Sequence, residues 1–179
     1  MSKQYIVIDP CYIIGNEEWS KICDQCSGDN WDDEKFNSLC SDALKVLSGT
    51  TNACACHTGF GDWSNSMHSD DPTESNIIQP DFFADSGMVC VVEYNDKVKA
   101  ALEAKENERL TLEDVGGAAI IEIQDDSEID IEMNTDDENW TQVIISTPNE
   151  NFWSDYPYDE EDEEEIDDWY DEDADNEDE

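Results

Sequence analysis

The sequence predicts an α+β fold: one or two N-terminal helices with a mainly antiparallel β-sheet (a meander), followed by an acidic C-terminal tail. Apolar residues recur at helical spacing in the first third of the chain, whereas later segments alternate with the period of a strand. The composition then changes abruptly, since 16 of the 21 residues from Asp159 to Glu179 are acidic and none is basic. We therefore expect a compact domain over residues 1–154 and a tail over residues 155–179 that is disordered when free.

The N-terminal third of the chain predicts one strand and two helices. Tyr5–Ile8 is a short apolar run that the proline after it would end. Residues 16–26 and 31–47 carry apolar side chains near the i, i+3, i+4 spacing of an amphipathic helix. Asp29 or Asn30 is the expected N-cap of the second helix, and acids in its first turn suit the helix dipole.

The middle of the chain predicts a buried strand and a third helix. Met88–Val92 is continuously apolar, which is typical of a central strand that is buried on both faces. Residues 95–106 have a helical pattern, with Asn95 or Asp96 as the cap. Residues 57–87 are rich in Gly, Ser, Asn, Asp and Pro, so we expect them to form a loop with little regular structure.

Three strand patterns follow in the last third of the expected domain. Residues 118–123 are apolar after a glycine pair, residues 128–133 alternate strictly, and residues 141–147 are rich in β-branched side chains. The short segment 124–127 joins the first two patterns and predicts a β-hairpin. The third strand then completes an antiparallel meander.

The charge of the chain excludes several functions. Its 179 residues include 49 acids and 8 bases, for a net charge of −41. Direct binding of DNA or RNA needs Lys and Arg to displace counterions from phosphates, and docking on anionic membranes needs polybasic segments. A single arginine, Arg109, and seven scattered lysines supply neither. Solubility or adaptation to high salt is the alternative use of such a charge.

Other features predict a location in the cytoplasm. No apolar run approaches the roughly 18 residues that a transmembrane helix needs. The first ten residues lack the apolar segment and small-residue cleavage site of a signal peptide. The seven cysteines are an odd number, which favours reduced thiols.

The charge is shared between the expected domain and the tail. Residues 1–154 hold 32 acids and 8 bases, so the domain carries a net charge of −24 by itself. One face of the predicted strand 128–133 presents carboxylates at intervals of about 6.6–6.8 Å, and the next turn adds three more acids. The residues that we expect to bind a partner here are Glu128, Asp130, Glu132, Asp136, Asp137 and Glu138. An ordinary solvated strand face is the alternative.

The tail combines acids with aromatic rings. Trp153, Tyr156, Tyr158, Trp169 and Tyr170 lie in or beside it. Interleaved acids and rings can imitate phosphates and stacked bases in a single-strand channel, whereas rings that fold back on the domain are the alternative. The tail residues that we expect to contact a partner are Asp159, Glu160, Glu161, Asp162, Glu163, Glu164, Glu165, Asp167, Asp168, Trp169 and Tyr170.

The cysteine spacing raises the question of a metal site. Cys23 and Cys26 form a CxxC pair, and Cys54 and Cys56 form a CxC pair that precedes His57. CxxC is a common zinc half-site, but CxC is a poor second half, and the first pair lies within a predicted helix. Ordinary core or loop thiols are therefore the favoured interpretation, with zinc as the alternative. We expect no cofactor, no metal and no catalytic residue.

Three short motifs occur in the first two thirds of the chain. The segment 9–12 (DPCY) follows the first strand and is itself followed by Trp19, the segment 58–62 reads TGFGD, and the segment 85–87 (DSG) precedes an apolar strand. These motifs resemble those of a group of small phage and bacterial proteins, which tend to have a second glycine where this chain has Trp63. The resemblance covers roughly residues 4–125 and implies a compact mixed α/β body and a phage-like origin, with no known activity.

In charge and size the chain is also similar to phage DNA-mimic proteins, which disable restriction, CRISPR or other nucleic-acid enzymes of the host. This similarity implies a non-enzymatic inhibitor in the host cytoplasm that occupies the basic nucleic-acid-binding site of a defence or DNA-processing protein. An acidic chaperone or assembly factor for a basic protein is one alternative. A small ligand-binding or enzymatic module of the motif-bearing group is another, with Asp9, Asp62 and Asp85 converging in a pocket.

Overall fold

The structure is a computed structural model that describes residues 2–27, 31–58, 63–106, 117–124, 128–135 and 141–155. Within these ranges the chain forms three α-helices and two mainly antiparallel β-sheets, so the predicted α+β class is confirmed. The helices are α1 (Asn16–Cys26), α2 (Asp33–Ser48) and α3 (Asp96–Glu106), and a 3-10 turn spans Pro10–Tyr12. The strands are β1 (Ser2–Ile8), β2 (Ala53–His57), β3 (Trp63–Ser69), β4 (Ile77–Gln79), β5 (Asp81–Ala84), β6 (Met88–Glu93), β7 (Ala119–Gln124), β8 (Asp130–Thr135), β9 (Thr141–Ser146) and β10 (Asn151–Ser154).

The strands form two five-stranded sheets that pack face to face. The inner sheet has the order β2-β6-β1-β7-β4, and the outer sheet has the order β5-β3-β10-β9-β8. The helices cover the second face of the inner sheet, which gives a helix–sheet–sheet arrangement with two cores. The interior strands β1 and β6 of the inner sheet are therefore buried on both faces, while the outer sheet has one face toward solvent.

Alternation along β1 shows how the two cores are divided. Ile6 and Ile8 point toward the helices and pack in a core that includes Leu44 of α2. Tyr5 and Val7 point the other way and belong to the core between the sheets. Their neighbour β6 is buried throughout Met88–Val92, which confirms the predicted central strand.

The helix predictions are confirmed, apart from one cap. The bounds of α1 coincide with the predicted segment, and α3 begins after Asn95, whose side chain accepts hydrogen bonds from the backbone of its first turn. The N-cap of α2 is Asp32 rather than Asp29 or Asn30, which lie outside the described residues. Asp32 has the extended backbone that an N-cap requires, and its carboxylate accepts a hydrogen bond from the backbone N–H of Lys35 at 3.0 Å.

The predicted hairpin between residues 118–123 and 128–133 is wrong. Both segments form strands, but β7 lies inside the inner sheet between β1 and β4. Both edges of β7 are therefore already paired, and among the described residues β8 pairs with β9 alone, at the edge of the outer sheet. The antiparallel meander that does form is β8-β9-β10, whose last strand was not predicted.

The prediction of a loop over residues 57–87 is also wrong. The segment contains β3, whose small and polar side chains resemble a loop in composition, and the short strands β4 and β5. The polar side chains of β3 suit a strand with one solvent-exposed face. On the other face, Met67 of β3 and Phe82 of β5 fill the core between the sheets. Strand β2 is a further element that the sequence patterns did not indicate.

We expect the substitution Asp32→Ala to lower the free energy of unfolding by about 1 kcal/mol, because the backbone N–H of Lys35 loses its acceptor. Urea denaturation of the full chain measures the change. Asp32→Asn is the control, since an asparagine keeps the acceptor oxygen and should retain most of the stability. An alanine variant as stable as the parent would contradict this position for the cap.

Candidate functional site

Strand β8 carries the predicted carboxylate row on a solvent-exposed edge of the outer sheet. Asp130 and Glu132 are exposed, as is Glu128 just before the strand, whereas Ile131 and Met133 are half-buried and pack on the core between the sheets. The alternation that the sequence predicted is therefore present. Within the described part of the chain, no lysine or histidine forms an ion pair with any of these three acids.

The acidic row is continued across the outer sheet by the neighbouring side chains of Ile144, Trp153 and His68. In the strand register Glu132 pairs with Ile144, Ile144 with Trp153, and Trp153 with His68. Directly paired residues of antiparallel strands project from the same face, so these side chains share the solvent face of the sheet. We call this surface, from Glu128, Asp130 and Glu132 through Ile144 and Trp153 to His68, the acidic face.

Two further carboxylates lie at the far side of the acidic face, around His68. The imidazole Nε2 of His68 lies 2.8 Å from Oδ2 of Asp155, and its Nδ1 lies 3.5 Å from Oε1 of Glu74. The ring also lies beside Trp153, with 6.4 Å between the centroids. Acids therefore flank Ile144 and Trp153 on both sides. The sequence could not indicate this cluster, because its members come from β3, the turn before β4 and the end of β10.

The spacing of the β8 carboxylates keeps them in mutual repulsion. Neighbours about 6.7 Å apart along a strand repel by about 0.6 kcal/mol in water, and by more where solvent is excluded. The three acids lie on or next to a paired strand, so the backbone cannot rearrange to move the charges apart as a flexible chain could. A cationic surface placed against it would relieve this repulsion, which makes the acidic face suited to a basic partner.

The remaining predicted contact residues lie outside the described residues. These are Asp136, Asp137 and Glu138 after β8, and the tail residues Asp159–Glu165 and Asp167–Tyr170. Tyr156 and Tyr158 are outside as well. Trp153, which the sequence grouped with the tail, is instead a half-buried residue of β10 in the outer sheet.

The three motif segments meet at a junction around the buried Asp9 carboxylate. The Asp9 carboxylate is fully buried and accepts hydrogen bonds from the backbone N–H of Cys11 at 2.8 Å and from the Ser86 hydroxyl at 2.8 Å. The Ser86 backbone N–H is a third donor to it. The Tyr12 hydroxyl donates to Asp85 at 3.0 Å. The third segment joins through its first residue, because the Thr58 N–H donates to the Gly87 carbonyl at 2.8 Å.

This junction gives Asp9 a structural role. Its carboxylate caps the 3-10 turn after β1 and fastens the turn before β6, so its oxygens are already engaged by neighbouring donors. Burial raises the pKa of the Asp9 carboxyl above its ordinary value, although the donors at Ser86 and Cys11 oppose this. Asp62, the third acid of the predicted pocket, lies outside the described residues.

The cysteines lie on separate elements. Cys23 and Cys26 belong to α1, Cys54 and Cys56 to β2, and all seven thiols are free. In the described ranges, no group of three or more His, Cys, Asp or Glu side chains is placed to hold a metal ion. Burial raises the pKa of the Cys54 thiol, and burial raises that of Cys40 to about 12, so these groups remain protonated at neutral pH.

Comparisons with known proteins found no match to a protein-family model, to a curated protein or to a solved structure. Among the helices that the structure describes, none is long and apolar enough to cross a membrane.

The raised pKa of Asp9 predicts a measurable pH dependence. A carboxyl whose pKa is higher in the folded state contributes stability below its unfolded pKa, and this contribution is lost as the pH rises through the folded pKa. We therefore expect the stability of the parent relative to Asp9→Asn to fall as the pH rises from about 3 to 7. The fall is about 1.4 kcal/mol for each unit by which the pKa is raised. Urea denaturation across this range measures it.

Asp71→Asn is a control of opposite sign. Hydrogen bonds from Thr73 lower the pKa of the exposed Asp71 carboxyl, so the parent should gain stability relative to this variant as the pH rises. Because both proteins contain the other acids, the difference in stability between parent and variant removes the contribution of those acids to the pH dependence. If the parent also gained stability relative to Asp9→Asn as the pH rose, folding would favour the ionised form of Asp9, contrary to our account.

Proposed function

We propose that this protein is a nucleic-acid mimic, which inhibits a basic nucleic-acid-binding protein by occupying the site that DNA or RNA would use. The observation that carries the proposal is the acidic face, where regularly spaced carboxylates of β8 and the carboxylates beside His68 flank Ile144 and Trp153 on one side of a folded body. A partner's nucleic-acid site offers the complementary surface, since it presents Lys and Arg for phosphates and often aromatic residues for bases.

The geometry of β8 supports this role in a way that net charge alone does not. The backbone positions of Asp130 and Glu132 are fixed by pairing with β9 at Ser146 and Ile144, so a partner meets carboxylates that project from an ordered strand. Ordered charges cost less conformational entropy on binding than those of a flexible chain. The large negative field of the whole protein would also steer a cationic partner into contact.

The position of Asp155 supports a contribution from the tail. Asp155 is the last described residue, and its carboxylate contacts His68 on the acidic face. The chain continues after Asp155 into the tail, in which 16 of the 21 residues from Asp159 onward are acids. We propose that the tail extends the same contact with the partner. The resemblance to phage proteins makes a host defence nuclease, a restriction or CRISPR component, or another DNA-processing enzyme the kind of partner to seek.

We expect the triple variant Glu128→Gln, Asp130→Asn, Glu132→Gln to bind the partner about tenfold more weakly at low salt, a loss of about 1.4 kcal/mol. Its affinity should also depend less steeply on salt, because fewer charges meet across the interface. The partner is first captured from a bacterial lysate on the immobilised protein and eluted with a salt gradient. Surface plasmon resonance of the purified pair at several salt concentrations then measures the change.

A second triple variant separates local recognition from overall charge. Asp24→Asn, Glu34→Gln and Asp96→Asn remove three exposed acids of the helical layer, so the net charge is the same as in the first triple. We expect this control to bind within about twofold of the parent, because its substitutions lie on the other side of the inner sheet. Equal weakening by the two triples would contradict recognition through the acidic face. Binding insensitive to salt would contradict mimicry altogether.

A further inference from the structure

A pocket of about 430 Å³ opens on the helical side of the inner sheet, away from the acidic face. It lies between α1, α2, the end of β2 and the turn before β6, and its size is within the range of ligand pockets. The residues that define its chemistry are Trp19, Trp31, Asp33, Phe36 and His57, with the Ser86–Gly87 turn of the motif junction at one side.

Three aromatic rings form the apolar part of this pocket. Phe36 is buried, and its ring lies 5.7 Å from that of Trp19 in an edge-to-face arrangement and 4.8 Å from that of Trp31. Trp31 nevertheless stays 51% exposed, which is unusual for a large ring with a neighbouring apolar surface available. An exposed tryptophan beside two other rings offers a stacking surface for a ligand.

A carboxylate lies against these rings. Oδ1 of Asp33 accepts a hydrogen bond from the indole Nε1–H of Trp31 at 2.6 Å, which fixes the ring and the acid relative to each other. Oδ2 of Asp33 lies 3.8 Å from Nε2 of His57, beyond hydrogen-bond distance. The Asp33 carboxylate therefore keeps acceptor capacity beyond its hydrogen bond with Trp31, and it lines the pocket.

Asn37 sets the tautomer of His57. The backbone N–H of His57 donates to Oδ1 of Asn37 at 2.9 Å, which orients the amide so that its Nδ2 lies 3.2 Å from Nδ1 of His57. Because the amide nitrogen can only donate, Nδ1 of His57 accepts and the ring proton of the neutral imidazole is on Nε2, toward Asp33. The polar wall of the pocket thus consists of a fixed N–H donor and a carboxylate.

We propose that this pocket binds the guanidinium group of an arginine side chain presented by a protein partner. A guanidinium is flat, stacks on tryptophan and donates hydrogen bonds in a fork that matches a carboxylate, so it fits the aromatic rings and the Asp33 carboxylate. The negative charge of the whole chain favours a cation and opposes an anion at Asp33. The inference goes beyond the proposed mimicry, because the pocket lies on the opposite side of the inner sheet from the acidic face.

The experiment titrates the full-length protein with N-acetyl-L-arginine amide and follows the indole N–H signals of the tryptophans by NMR. We expect saturable shifts at Trp31 and Trp19 in the millimolar range, at a salt concentration near physiological that screens diffuse attraction. The neutral analogue N-acetyl-L-citrulline amide, which has almost the same shape, should bind at least about tenfold more weakly because it lacks the charge. Equal binding of both compounds would overturn the proposal.

Two variants locate the binding within the pocket. Asp33→Asn keeps the acceptor for the Trp31 indole and should weaken arginine binding about tenfold, whereas Glu34→Gln removes the same charge from the next, exposed position and should leave it unchanged. Equal weakening by the two variants would show attraction to diffuse negative charge and overturn the proposal. Tetramethylammonium, a cation without donors, should bind more weakly than the arginine compound, and tighter binding would contradict the role of Asp33.

Discussion

The constraint on which the rest of the structure depends is the burial of two interior strands of the inner sheet, β1 and β6, on both faces. A sheet between a helical layer and a second sheet must be apolar throughout, and β1 and β6 meet this demand with the runs Tyr5–Ile8 and Met88–Val92. Ionised carboxylates are costly to bury, so the acids of a chain with a net charge of −41 must lie elsewhere. Among the acids that the structure describes, Asp9 alone is buried.

That exclusion explains why charge collects on the outer sheet and on the exposed sides of the helices. Cations are too few to neutralise it: the ion pairs of the described residues are mostly exposed and of little energetic value. One lysine is even withdrawn from the surface, because buried Lys105 donates to the Cys11 carbonyl at 2.9 Å and to the Asn16 side chain. Its role is to tie α3 to the turn that Asp9 caps, so the fold uses this cation for structure.

The sequence predicted those parts of the fold in which local pattern and tertiary environment agree. The central strand β6, helix α1 and the alternation of β8 have unambiguous periods, and the structure has them where they were expected. The pairing of β7 and β8 was wrong because chain proximity does not reveal that β7 lies between two other strands. Strand β3 was missed because a strand with one solvent-exposed face and many small polar side chains resembles a loop in composition. Strands β4 and β5 were missed because they are only three and four residues long.

The candidate sites were predictable to different degrees. The exposed positions of the β8 carboxylates follow from the strict alternation of that segment. The contact of His68 with Trp153 instead depends on the register of β3 against β10. The link between Asp9 and Ser86 joins residues far apart in sequence, as does the contact of Asn37 with His57. Motif order alone hinted at the first link, and no sequence signal indicated the second. Such contacts arise from tertiary packing, which a single sequence does not specify by local rules.

The central claim is that the protein competes with nucleic acid for one basic site. The measurement that tests it most directly is displacement of the captured partner from the immobilised protein by single-stranded and duplex DNA or RNA at constant low salt. Our account predicts that at least one of these nucleic acids releases the partner in proportion to its own affinity for that partner. A partner that remains bound while it is saturated with nucleic acid would contradict the claim, because the two ligands would then occupy separate sites.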